Sequence, residues 1–157
     1  MTEPESPTDP LRDLASQQSV RVGAAARAGP LLDGGQYASV LAREFNALTP
    51  ENTMKWAPLR PTADSFDFSV ADQVVAFAEE NDMDVRGHTL VWHRQLPNWL
   101  TSHDWSRDSL MTILETHVKT VVNHYEETYP NRIARWDAFF VLRSRKGADD
   151  AQAQTGN

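Results

Sequence analysis

The 157-residue chain carries 15 Lys and Arg against 22 Asp and Glu, a formal net charge of -7, and is 40% hydrophobic and 24% charged. That composition suits one globular domain, and its acidic balance offers no basic field to a nucleic-acid or anionic-membrane partner. With no cysteine, disulfides, thiolate metal sites and cysteine nucleophiles are excluded, and no apolar run approaches the roughly 20 residues of a membrane-spanning helix.

Residues 1–10 hold three prolines and several carboxylates and read as a flexible lead. The lead has neither the basic start nor the apolar stretch of a secretory signal, which leaves the compartment open. Leu11–Gln17 predicts a short helix and Val20–Ala25 a small-residue strand, followed by a loop through Gly29-Pro30 and Gly34-Gly35. Tyr37, Val40, Leu41 and Phe45 recur near helical spacing. Phe45–Leu48 predicts a second strand, stopped by Thr49-Pro50. Ser69 and Asp72 approach a capping pattern ahead of a helix with Val70, Val74, Phe77 and Ala78 on one face. Asp84–Val91 reads as a third strand. Ser106 is a candidate N-cap for the longest helix, striped by Leu110, Leu114, Val118, Val121, Val122 and Tyr125. Ile133–Trp136 is the fourth strand, and residues 143–157 form a polar tail that reads as disordered. The order β-α-β-α-β-α-β implies an α/β fold with a parallel sheet and right-handed crossovers. Four strands and three helices make about half of an eight-fold barrel, which needs about 250 residues.

Two blocks carry chemistry. Phe45-Asn-Ala-Leu-Thr-Pro-Glu-Asn-Thr-Met-Lys-Trp56 places Glu51, Asn52 and Lys55 where a strand gives way to a loop. An acceptor, a mixed donor-acceptor and a donor together can read sugar hydroxyls, and an indole face packs on the C–H face of a sugar. Gly87-His-Thr-Leu-Val-Trp-His-Arg-Gln-Leu-Pro-Asn-Trp-Leu100 repeats that chemistry with His88, Trp92, His93, Gln95 and Trp99. Both blocks fall at the carboxyl ends of strands, where barrel enzymes place their sites. Strand alternation sets His88, Leu90 and Trp92 on one face. It sets His93 on the other, which argues against a His88–His93 metal site. Trp56 and Trp99 read as packing residues. Singly, a Glu, Asn or Lys after a strand is an ordinary cap or solvated loop residue; the pattern, not any one residue, points to a ligand.

The two blocks resemble glycoside hydrolase family 10, whose typical members are endo-β-1,4-xylanases, over about four-fifths of the chain. The resemblance implies a partial (β/α)8 TIM barrel, its N-terminal half over residues 11–142, acting on xylan or xylo-oligosaccharide without cofactor or metal. It implies that Glu51, Asn52, Lys55 and Gln95 hold the second sugar on the non-reducing side of the cut, and that His88 and Trp92 line the adjacent subsite. Members of the family are usually secreted. The pattern then breaks. The family's Trp-Asp-Val-Val-Asn-Glu, which ends in the acid/base glutamate, is here Trp136-Asp137-Ala138-Phe139-Phe140-Val141. Phe140 stands at the asparagine position and Val141 at the glutamate position, and the nucleophile belongs to a later strand that this chain lacks. The expectation is a fragment that keeps the sugar-binding loops without either catalytic carboxylate, produced by a frameshift or early termination. The alternative is a dedicated carbohydrate-binding or regulatory fragment. Exposed barrel edges favour self-association.

Overall fold

A computed structural model describes residues 9–140, with Phe140 through its backbone alone. Val141, the 143–157 tail and the first eight residues of the 1–10 lead lie outside the described residues. In chain order the elements are α1 (Leu11–Gln17), β1 (Gly23–Ala26), α2 (Ala28–Leu32), α3 (Gln36–Glu44), β2 (Ala47–Pro50), α4 (Trp56–Leu59), α5 (Ser69–Glu80), β3 (Asp84–Gly87), β4 (Val91–Trp92), α6 (Asn98–Thr101), α7 (Arg107–Thr128), β5 (Ile133–Trp136) and β6 (Phe139–Phe140).

The main sheet is parallel throughout, in the order β1-β2-β3-β5. One face packs against helices. Ala26, Leu48 and Val85 from the strands meet Leu41 of α3, Val74, Val75 and Ala78 of α5, and Val121 and Tyr125 of α7 in a continuous core. The opposite face carries small or polar groups, among them Gly23, Ala47, Thr49, Asp84 and Arg86. The alternation that a one-sided sheet requires is thus present in β1, β2 and β3, while β5 departs from it where its register with β3 shifts between Val85 and Arg86.

Several boundaries differ from those expected. Β2 runs through Pro50 instead of stopping before Thr49. The Glu51 N–H donates to the Ala26 carbonyl, so the donor Pro50 lacks faces away from β1, toward a strand whose pairing has already ended at Leu48↔Val85. No ladder bond is lost, and the proline is tolerated. At α5, Ser69 does not cap. Its own N–H donates to Asp67 Oδ1 at 2.9 Å, so the capping carboxylate stands two residues upstream. Ser106 does cap α7, accepting from the Ser109 N–H at 3.1 Å. Leu110, assigned to the buried stripe, is 42% exposed because the first turns of α7 overhang the core. The short helix α2, of five residues, lies inside the segment read as a loop, and α4 and α6, of four residues each, lie where no element was expected; all three are too short to show a period.

The largest correction concerns the third strand. Expected over Asp84–Val91, it ends at Gly87, and Val91–Trp92 pair instead with Phe139–Phe140 in a separate two-stranded sheet. Between them the Asp137 carbonyl accepts from both Thr89 Oγ1 at 2.7 Å and the Leu90 N–H at 3.0 Å, drawing the segment off the ladder. Alternation therefore does not hold here: Leu90 is buried in the core while His88 and Trp92 are only partly buried.

Gly87 is required where it stands. A Cβ there would meet the Trp136 indole at 2.2 Å, so ring and backbone pack with no room for a methyl. Gly87→Ala is expected to cost about 1–3 kcal/mol through overpacking, read as a lowered urea midpoint. Gly29→Ala, where a Cβ meets nothing within 4 Å, is the matched control and should not destabilise.

Candidate functional site

The loop leaving β2 is anchored at both ends. The Glu51 N–H donates to the Ala26 carbonyl at 2.9 Å, the Lys55 N–H donates to the Asn52 carbonyl at 3.1 Å, and Met54 is fully buried. Lys55 then occupies the N-cap position of α4 and is only 7% exposed. Its ammonium donates to Asn52 Oδ1 at 2.8 Å and lies 4.4 Å from the centroid of the Trp92 ring. Gln95 Nε2 reaches the same Asn52 oxygen at 3.4 Å, and the Gln95 carbonyl accepts from the Ala57 N–H at 3.1 Å, tying the two loops together. Because Asn52 Oδ1 accepts from both neighbours, its amide hydrogens are what it offers a ligand. Burial pushes the Lys55 ammonium below its ordinary pKa, and the charge of Glu51 opposes that shift. Glu51 itself is exposed and lies 3.8 Å from Arg27 Nε.

Four of the six expected residues, Asn52, Lys55, Trp92 and Gln95, therefore touch in one cluster, with Glu51 beside them. His88 belongs to a second group at the same end of the sheet, built around Asp137. Arg86 grips that carboxylate through Nε at 3.0 Å and Nη2 at 2.7 Å, and His88 Nδ1 lies 2.9 Å from Oδ2. A carboxylate only accepts, so Nδ1 carries the hydrogen and Nε2 of a neutral ring is left as an acceptor. Burial works to raise the Asp137 pKa, but the hydrogen bonds and charges of Arg86 and His88 prevail and hold it below its usual value. Asp137 also raises the pKa of Arg86, first through their hydrogen bond. Asp137, Arg86 and Arg27 were not among the expected site residues. The available signal was position: each lies in or just after a strand, near its carboxyl end.

Behind the cluster lies an aromatic layer. Trp56 stacks on His117 of α7 with centroids 4.0 Å apart and planes 6° from parallel. The Trp99 N–H donates to the Arg60 carbonyl at 3.1 Å, and the Arg60 guanidinium lies 5.0 Å from the Trp99 ring. Both tryptophans pack. His93 meets Trp92 edge-on at 5.6 Å and is exposed. Burial first, then the charge of Arg60, pushes His117 down to about 4; the Leu90 backbone pulls the other way without closing a well-formed hydrogen bond.

Parallel β/α units with polar and aromatic side chains gathered at the strands' carboxyl ends define one half of a TIM-type barrel. Residues 10–140 match the family profile described as Glycosyl hydrolase family 10, and the chain belongs to that family. It is 48% identical over 130 residues to endo-1,4-beta-xylanase B of Thermotoga neapolitana, a match covering 82% of this chain and 36% of that protein. Xylanase 10B of Thermotoga petrophila, solved in complex with xylobiose, has a TM-score of 0.78 at 43% identity, over 85% of this chain and 40% of that one. An intracellular xylanase of Thermoanaerobacterium saccharolyticum gives 0.77 at 34% identity, over 85% and 44%. The chain thus spans 36–44% of the length of these relatives.

Two outcomes follow from the site. Asp137→Ala removes the acceptor from Arg86 and His88 and should cost about 1.5–3 kcal/mol in chemical denaturation, in the range of hydrogen bonds to charged groups. His117 titrates at about 4 in the fold against 6.5 for the free side chain. The folded state therefore disfavours its proton: stability is unaffected above pH 6.5, falls by on the order of 3 kcal/mol as pH drops toward 4, and then levels. Asp137, with its pKa depressed, adds its own loss only below its ordinary 3.8. His117→Phe keeps a ring on Trp56 and should flatten the pH 6.5–4 slope in urea midpoints; an unchanged slope refutes the assignment.

Proposed function

We propose that this chain is the substrate-gripping half of a xylanase-type glycoside hydrolase, binding xylo-oligosaccharide without hydrolysing it alone. Glu51, Asn52, Lys55 and Gln95 hold one xylose unit, and His88 with Trp92 line the next. The observation that carries this reading is the placement of the Lys55 ammonium, fixed between the Asn52 oxygen at 2.8 Å and the Trp92 ring at 4.4 Å. A desolvated, preoriented donor beside an indole face suits a sugar hydroxyl and the adjoining C–H surface. The xylobiose complex of a relative with a TM-score of 0.78 supports the same class of ligand.

Retaining hydrolysis needs two carboxyl groups about 5–5.5 Å apart, one to protonate the leaving oxygen and one to attack the anomeric carbon. The position that the family fills with its acid/base glutamate reads Val141 here. A valine donates no proton, and general acid catalysis alone contributes roughly 10²–10⁴-fold. Each sugar hydrogen bond exchanged with water yields about 0.5–1.5 kcal/mol net, and association costs several. A half site should therefore bind xylobiose at millimolar strength, near -4 kcal/mol.

Titrating the isotopically labelled chain with xylobiose should shift amides in residues 51–55 and 92–95. Lys55→Ala and Trp92→Ala should abolish those shifts, and the purified chain should release no reducing sugar from xylan. Shifts that ignore both substitutions refute the binding site. Sugar release above that of buffer refutes the inactivity.

A further inference from the structure

We infer that a cavity between the β2–α4 loop and the start of α5 is a subsite for a neutral, single-ring branch on the xylose unit that Asn52 holds. The inference rests on the sugar-binding reading above and deepens it: the chain prefers branched xylo-oligosaccharide to the plain chain. The cavity holds about 190 Å³ and is lined by Asn52 and Thr53 of the loop, Pro58 of α4, Asp67, and Val70 and Ala71 of α5. Asn52 belongs to both places, because its Oδ1 also accepts from Lys55 and Gln95 in the polar cluster. A ring entering the cavity is therefore within reach of a sugar held by that cluster. The walls stand among neighbours inside the described span, since α5 packs against α2, β2 and β3.

Size and lining select the occupant. The volume falls below the roughly 300–1,000 Å³ of a pocket for a drug-sized ligand, which suits one ring. Ala71 at its wall is buried, so the cavity ends in the protein and takes a terminal unit instead of a continuing chain. Val70, expected on the apolar face of α5, is 45% exposed here. With Pro58 it offers hydrocarbon that the C–H surface of a sugar ring can cover. Three polar groups border that apolar wall. Asn52 has its amide hydrogens left to donate. The Thr53 hydroxyl oxygen is buried with no hydrogen-bond partner among the described residues, a demand that a branch hydroxyl would meet. Asp67 accepts at Oδ1 from the Ser69 hydroxyl at 2.6 Å and the Ser69 N–H at 2.9 Å. Those bonds hold its carboxyl below the ordinary pKa. An ionised carboxylate there accepts from a sugar hydroxyl and repels a uronic acid, which makes the preferred branch a neutral one.

The test titrates the full, isotopically labelled chain with three probes: xylotriose, xylotriose bearing one arabinofuranosyl branch, and xylotriose bearing one glucuronyl branch. All three should shift amides in residues 51–55 and 92–95. Only the arabinofuranosyl probe should also shift residues 67–71, and it should bind about threefold to tenfold more tightly than xylotriose. Val70→Phe fills the cavity from an exposed position. It should erase the added shifts and the added affinity while leaving xylotriose binding and the melting curve unchanged. Asp67→Asn keeps an acceptor for the Ser69 N–H and should admit the glucuronyl branch. Shifts in residues 51–55 with every probe, and none in 67–71 with any, overturn the subsite and leave the sugar-binding reading standing. Equal shifts in 67–71 with xylotriose overturn it in favour of a subsite for the main chain. Tighter binding of the glucuronyl probe by the unmodified chain refutes a neutral branch. No shift in residues 51–55 with any probe refutes the underlying reading and the subsite with it.

Discussion

The Asp137 carboxylate lies between Arg86 and His88 at the carboxyl ends of two adjacent strands, and the rim is arranged around it. Its side chain compensates two donors, while its backbone donates to Gly87 and accepts from Thr89 and Leu90. Through these bonds one residue joins β3 to β5, ends β3, and turns the following segment so that Trp92 reaches the Lys55 ammonium. A partly buried carboxylate with three charge-assisted hydrogen bonds is held in place, because every alternative position leaves a buried charge unpaired.

Lys55 shows why neighbours must be placed together. Burying an ammonium disfavours its charged form, and the shift of its pKa below the ordinary value records that cost. Three features offset it: the Asn52 oxygen, the Trp92 ring and the field of Glu51. The ring interaction is worth more in a desolvated setting than at an exposed surface. Behind them lies the Trp56–His117 stack, where burial and the charge of Arg60 disfavour protonation of the imidazole. Acid therefore acts on the floor of the site as well as on its charged rim.

The two faces of the sheet have different fates. The helix-covered face is saturated with Leu, Val, Met and Tyr and makes a core within this chain. The concave face is small and charged, with its charges paired locally. The apolar groups left uncovered flank the edge strands, at Tyr37 and Val40 beside β1. The described half of a barrel is thus internally well packed on its helix-covered side.

Local sequence carried much of this. The helices at Leu11–Gln17 and Ser69–Glu80, the Ser106 cap and the strand at Ile133–Trp136 were legible because capping and apolar period are properties of adjacent residues. The block Glu51–Lys55 announced itself by an unusual set of polar types after a strand. What escaped was set by residues far apart in the chain. The end of β3 at Gly87 depends on a carbonyl fifty residues later, and Pro50 sits in a strand because of where its partner's pairing stops. Asp137 read as a landmark of a broken motif until folding placed it against Arg86 and His88. Period and capping are written within a turn or two of chain, whereas a hydrogen bond between strand ends is specified by three-dimensional register. For that reason the elements and the polar loop could be read along the line, and the geometry that makes them a site could not.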